Sequence, residues 1–160
     1  MTTKSKSSSK SSTVTNLILK AEENLQELDK RVSSLKSQYS NRLKSLDDIY
    51  NDTVLKMSSD VDSSKELESR VKEANNLLDG INKLFLKIEK KKEEVIQILQ
   101  TKNKDEIIKN RDNSKDYIIS YLNEIERELI KVTCVISRIK KFIKYENDII
   151  NQNHPPCVVS

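Results

Sequence analysis

Glycine appears once in the 160 residues, proline twice and tryptophan never. A β protein needs glycine, proline and asparagine-rich turns between short strands, so this scarcity excludes one. A single glycine also cannot build a loop that cradles phosphates. Two cysteines are too few for a disulfide framework, and their positions suggest no pair, which implies a reducing compartment. No apolar run approaches the roughly 20 residues of a bilayer span; Leu84-Phe85-Leu86 is typical of the longest. The first twelve residues, MTTKSKSSSKSS, lack the apolar stretch of a signal peptide. The one histidine, His154, stands beside two prolines. That leaves no base for a hydrolytic triad and no Cys/His cluster for zinc. Together these absences predict a protein that is not an enzyme and binds no cofactor or metal.

Charge, in contrast, is abundant. Charged residues make up 34% of the chain and hydrophobic ones 35%, with a net charge of +4. The hydrophobic share is enough for a narrow seam between helices but not for a thick core. The excess of positive charge is small and interspersed, which predicts no nucleic-acid partner. Carboxylates such as Glu22-Glu23 and Glu93-Glu94 read as solvated helix faces.

The apolar residues step by three and four from Val14 through Ile18, Ala21, Leu25, Leu28, Val32 and Leu35, and onward to Val95 and Leu99. Such steps are the repeat of a coiled coil. Ser64 weakens the ladder, Lys92 interrupts it, and Gly80 marks a weak point worth about 1 kcal/mol relative to alanine. A second ladder runs Ile118, Leu122, Ile125, Leu129, Val132, Ile136, Ile139, Ile143, Ile150, broken only by Glu146. The polar stretches 101–106 and 110–116 are both turn candidates. The expected class is all-α, with a disordered tail over 1–12 and one long coiled-coil helix over 13–109. A joint over 110–116, a second amphipathic helix over 117–150 and a linker with a C-terminal tail over 151–160 follow. The shorter second helix cannot cover the whole first seam. This predicts a coiled-coil partner, either another subunit or a second copy. Cys134, between Val132 and Ile136, reads as a small packing residue.

The last four residues are Cys157-Val158-Val159-Ser160. They resemble the CaaX box, in which a cysteine is alkylated by a prenyltransferase and the final residue selects the lipid. The resemblance implies Cys157 as acceptor, Val158 and Val159 as the aliphatic pair, and Ser160 selecting farnesyl, followed by trimming and methylation. One lipid gives only marginal anchoring. Lys131, Arg138, Lys140, Lys141 and Lys144 supply a candidate second signal facing anionic lipid, opposite Val132, Ile136, Ile139 and Ile143 on a helical wheel.

In size and pattern the chain is similar to the small helical subunits of lysosome-related organelle biogenesis and lysosome-positioning complexes. That likeness implies a scaffold in vesicle trafficking or organelle positioning, cytoplasmic and peripheral on the cytoplasmic membrane face. Farnesylated cytoskeletal or kinetochore coiled coils are the alternative class. Lipid-anchored SNAREs also place heptads before an anchor. The ladder from Ile118 to Ile150 departs from them, having no Gln or Arg core layer.

Overall fold

The computed structural model describes the backbone of residues 2–57 and 61–153 and the side chains of residues 13–52 and 62–149. Among these residues the structure is all-α: α1 spans Thr2–Met57, α2 Val61–Gln100 and α3 Lys104–Asn153. The all-α expectation is borne out, but its subdivision changes. The helix expected over 13–109 is divided among α1, α2 and the start of α3. Residues 110–116 lie within α3, so they form no joint. Residues 2–12 carry helical backbone, where composition predicts a disordered tail; with no proline or glycine, nothing in the stretch breaks a helix.

The turn between α2 and α3 falls at residues 101–103, for local reasons. The last carbonyls of α2 are taken by tight i−3 bonds: the amide of Thr101 donates to Ile98 O and that of Lys102 to Leu99 O, both at 3.2 Å. Lys102 then adopts φ 55°, the left-handed conformation that commonly ends a helix. Asn103 caps α3. Its Oδ1 accepts from the amides of Asp105 (3.1 Å) and Glu106 (3.3 Å). Asp105 and Glu106 place negative charge at the positive end of the helix dipole.

Contacts divide the chain into two compact units. The first comprises Met1–Lys36 and Asn82–Glu126. In it α1 and α2 run antiparallel, because Asp29 pairs with Lys92 and, further along α1, Lys36 with Glu89. Arg31 reaches α3, contacting Glu126 Oε1 at 2.8 Å and donating to Asn123 Oδ1 at 2.7 Å. Lys91 lies over the Tyr117 ring and Lys87 over Tyr121, the two rings being stacked 6.5 Å apart. Inside, Ile88, Ile118, Leu122 and Ile125 are fully buried. Nearer the turn, Ala21, Val95, Leu99 and Ile107 form one cluster, flanked by the half-buried Leu17, Ile18 and Leu25.

The second unit comprises Ser37–Ile81 and Arg127–Ser160. Its core holds Leu46, Leu67, Leu78, Ile81, Val132 and Ile139. Buried Ser63 donates to Glu146 Oε2 at 2.8 Å, and Arg70 lies over the Phe142 ring at 5.1 Å. Arg42 donates to Thr133 Oγ1 at 3.1 Å. Burial, with the nearby Asp79 carboxylate adding to it, pushes the Tyr39 phenol above its usual pKa, so it is uncharged at neutral pH.

The two interruptions in the ladders thus have specific partners. Lys92 meets Asp29, and Glu146 meets Ser63. Among the described residues most ladder positions find apolar cover inside these units, Leu67, Ala74, Ile88, Ile118 and Leu122 being inaccessible to solvent, while Ile18, Leu25 and Ile143 are half-buried.

Two stability predictions follow from the helix backbone. Gly80 is exposed within α2, has no positive φ, and has open space where a Cβ would lie. Gly80→Ala therefore stabilises the fold by about 0.5–1 kcal/mol. Asn103→Ala removes the α3 cap and destabilises by about 1 kcal/mol. Urea denaturation followed by circular dichroism reads both, and the two variants should move the midpoint in opposite directions.

Candidate functional site

The residues singled out as membrane-facing sit on α3 in the second unit. Lys131, Arg138, Lys140, Lys141 and Lys144 are all exposed, whereas Val132 and Ile139 are fully buried and Ile136 nearly so. Lys131 is held by Glu128 at 3.0 Å. Among the described residues Arg138, Lys140, Lys141 and Lys144 take part in none of the ion pairs, which elsewhere tie Arg31, Lys36 and Lys92 to carboxylates on neighbouring helices.

Helical geometry sorts these cations further. At 3.6 residues per turn, Arg127, Ile130, Cys134, Arg138, Lys141 and Tyr145 fall within an arc of about 80°, centred opposite the buried stripe. Lys131 and Lys144 border that arc on either side. Lys140 does not belong to it. It lies seven residues from Thr133 and so on nearly the same side of α3, the side that meets Arg42 of α1. The placement of Lys140 opposite the core is therefore corrected: it is exposed on the flank toward α1.

Three members of the arc escaped the sequence reading. Arg127 precedes the stretch in which basic residues cluster. Ile130 and Tyr145 are apolar residues off the seam, and they are 65% and 62% exposed. Their signal was present as apolar residues out of phase with the ladder. Cys134 is exposed as well, which overturns its reading as a packing residue: it stands near the middle of the outward face. The tail residues Cys157, Val158, Val159 and Ser160, like His154, lie outside the described residues.

Elsewhere the surface is of mixed sign. Glu22, Glu23 and Glu93 are exposed, and Glu94 pairs with Lys91 at 3.2 Å. A cleft of about 170 Å³ in the first unit is lined by Lys20, Asn24, Arg111, Asp112 and Lys115. There Arg111 has its own carboxylate neighbour, Asp112, at 3.6 Å. Among the described residues no helix is long and apolar enough to cross a membrane, and no three His, Cys, Asp or Glu side chains group as a metal site would require. Comparison with family models, curated proteins and solved structures finds no match.

The exposure of Cys134 is directly measurable. In a Cys157→Ser chain the remaining thiol should react with an aromatic disulfide reagent at the rate of a free thiol, without denaturant. Cys134→Ser should shift stability by no more than about 0.5 kcal/mol, as surface substitutions do. Protection of the thiol until the protein unfolds would restore the packing role.

Proposed function

We propose that this chain is a non-catalytic, membrane-tethered helical scaffold subunit serving vesicle trafficking or organelle positioning at a cytoplasmic membrane face. The observation that carries the reading is the outward face of α3. Cations free of ion pairs among the described residues are gathered there, on the helix that leads toward the tail bearing Cys157. In this reading a prenyltransferase attaches farnesyl to Cys157, for a chain that terminates at Ser160. The basic residues supply the second signal that one lipid requires for stable anchoring. Partners are other coiled-coil subunits or a second copy, and nucleic acid is not among them. Most described seam positions are buried within each unit, and the half-buried Ile18, Leu25 and Ile143 are what supports the partner part of the proposal.

The lipid can be tested in a eukaryotic cell by mass spectrometry of the C-terminal peptide and by fractionation. Wild-type chain should carry a farnesyl thioether at Cys157 and sediment largely with membrane. Cys157→Ser keeps the side-chain shape but removes the nucleophilic sulfur, so most of the protein should become soluble while folding is unchanged. Ser160→Leu should redirect the modification toward geranylgeranyl. An unmodified Cys157 in the wild-type chain defeats the anchored reading.

A further inference from the structure

We infer that the outward face of α3 is itself a docking surface for an anionic lipid bilayer, with Ile130 and Tyr145 entering the interface and Arg127, Arg138 and Lys141 meeting lipid headgroups. The inference rests on the membrane reading above, and it goes further by assigning contact to the helix wall rather than to the tail alone.

Three observations converge on that wall. The first is sign. From Arg127 to Lys144 the outward arc and its borders hold Arg127, Lys131, Arg138, Lys141 and Lys144, with Asp148 the next carboxylate on that side. The second is pairing. Arg31, Lys36 and Lys92, which face other helices, are engaged by carboxylates, whereas Arg138, Lys141 and Lys144 have no such carboxylate among the described residues. The third is apolar exposure. Ile130 and Tyr145 stand 65% and 62% exposed on the same arc as the cations. They lie about 22 Å apart along the helix at 1.5 Å per residue.

A helix wall with apolar side chains set among lysine and arginine is the signature of an element lying in the bilayer interface. Ile130 can reach the acyl boundary, and Tyr145 carries an apolar ring with a polar tip suited to the headgroup level. A nucleic-acid backbone would use the cations but leave Ile130 without a partner. An acidic protein surface would satisfy the charges but would not by itself account for Ile130 and Tyr145 standing exposed among them. The wall is shallow, single-signed and about 27 Å long from Arg127 to Tyr145, which suits a planar, anionic surface. Alone it should bind weakly and lose its hold as salt rises. It is therefore compatible with the release expected of a cellular Cys157→Ser chain, since each of the two signals is marginal without the other.

The test uses the full-length Cys157→Ser chain, so that no prenyl lipid contributes. Its cosedimentation is measured with vesicles of phosphatidylcholine alone and with about 30% phosphatidylserine, at about 0.05 M and 0.5 M salt. Binding is expected only to the anionic vesicles at low salt. Arg138→Glu/Lys141→Glu and Ile130→Ser/Tyr145→Ser should each weaken it by about tenfold or more. Lys65→Glu/Lys72→Glu, which makes the same change of net charge on α2, should retain most of it. Circular dichroism should show all three pairs folded, since every altered side chain is exposed. As a second readout, a nitroxide on Cys134, the remaining thiol in this chain, should lose contact with a water-soluble quencher on anionic vesicles. Failure to bind anionic vesicles, equal loss with the α2 pair, or an unchanged nitroxide environment would overturn the docking wall. So would tighter binding to a polynucleotide or to polyglutamate than to vesicles. The farnesyl reading is judged separately by the mass of the C-terminal peptide, so either can fall while the other stands.

Discussion

The structure depends on burying apolar stripes that are only one or two residues wide. A helix with such a stripe has little stability alone in water, because propensity contributes little and most helix stability comes from packing the apolar face. Three helices that turn their stripes inward solve this within one chain. In the first unit Ile88 of α2 and Ile118, Leu122 and Ile125 of α3 are buried together with Val32 and Leu35 of α1. In the second, Leu46, Leu67, Ile81 and Ile139 play the same part. Each fully buried Leu or Ile contributes about 1.5–3 kcal/mol relative to exposure, so a narrow seam repeated along three helices offsets much of the chain's ordering entropy.

Polar interruptions within the stripes constrain which residues face each other. Lys92 and Glu146 occupy positions where the apolar step fails, and each is answered from another helix, by Asp29 and Ser63. A polar group at a seam position disfavours registers that would leave it without its partner, at some cost in stability. Sliding α2 along α1 by one turn would separate Lys92 from Asp29 and Lys36 from Glu89 at once. These links act in the same direction as the apolar packing, and the exposed ones add little energy of their own, about 0–1 kcal/mol each.

Much of this was legible in the residues. The ladders identified most of the buried positions, and the scarcity of glycine and proline identified the class. What the periodicity could not supply was the direction of the chain. A period of three and four continues in phase whether the helix runs on or folds back, so one helix over 13–109 and two antiparallel helices predict nearly the same buried set. The signals of reversal were local and polar. Asn103 with Glu106 three residues later is an N-terminal capping pattern, and Lys102 before it takes the left-handed conformation that stops α2. The Asn- and Asp-rich stretch 110–116 looks more turn-like by composition, yet it lacks a cap followed by a break and lies within α3. On the candidate surface, the basic cluster was visible as composition. Arg127, Ile130 and Tyr145 were not, because a helical wheel drawn around the seam attends to what is buried rather than to what stands opposite.

That opposite face separates two uses of charge in one molecule. Several cations that face another helix are engaged: Arg31 with Glu126 and Asn123, Lys92 with Asp29, Arg70 over Phe142. These side chains orient helices, and their charge is locally neutralised or held against a ring. Where α3 turns away from its neighbours, Arg138, Lys141 and Lys144 have no such partner among the described residues, and exposed isoleucine and tyrosine lie among them. Solubility alone is served by charges of both signs and gains nothing from an exposed isoleucine. The fold itself needs only the buried side of α3, since Val132, Ile136 and Ile139 already hold the helix in place. The wall combines charge of one sign with the two most exposed of the large apolar side chains among the described residues, on a helix whose structural work is done by its other side. Contact with an anionic interface accounts for both the sign and the apolar residues without requiring any change in the packing beneath.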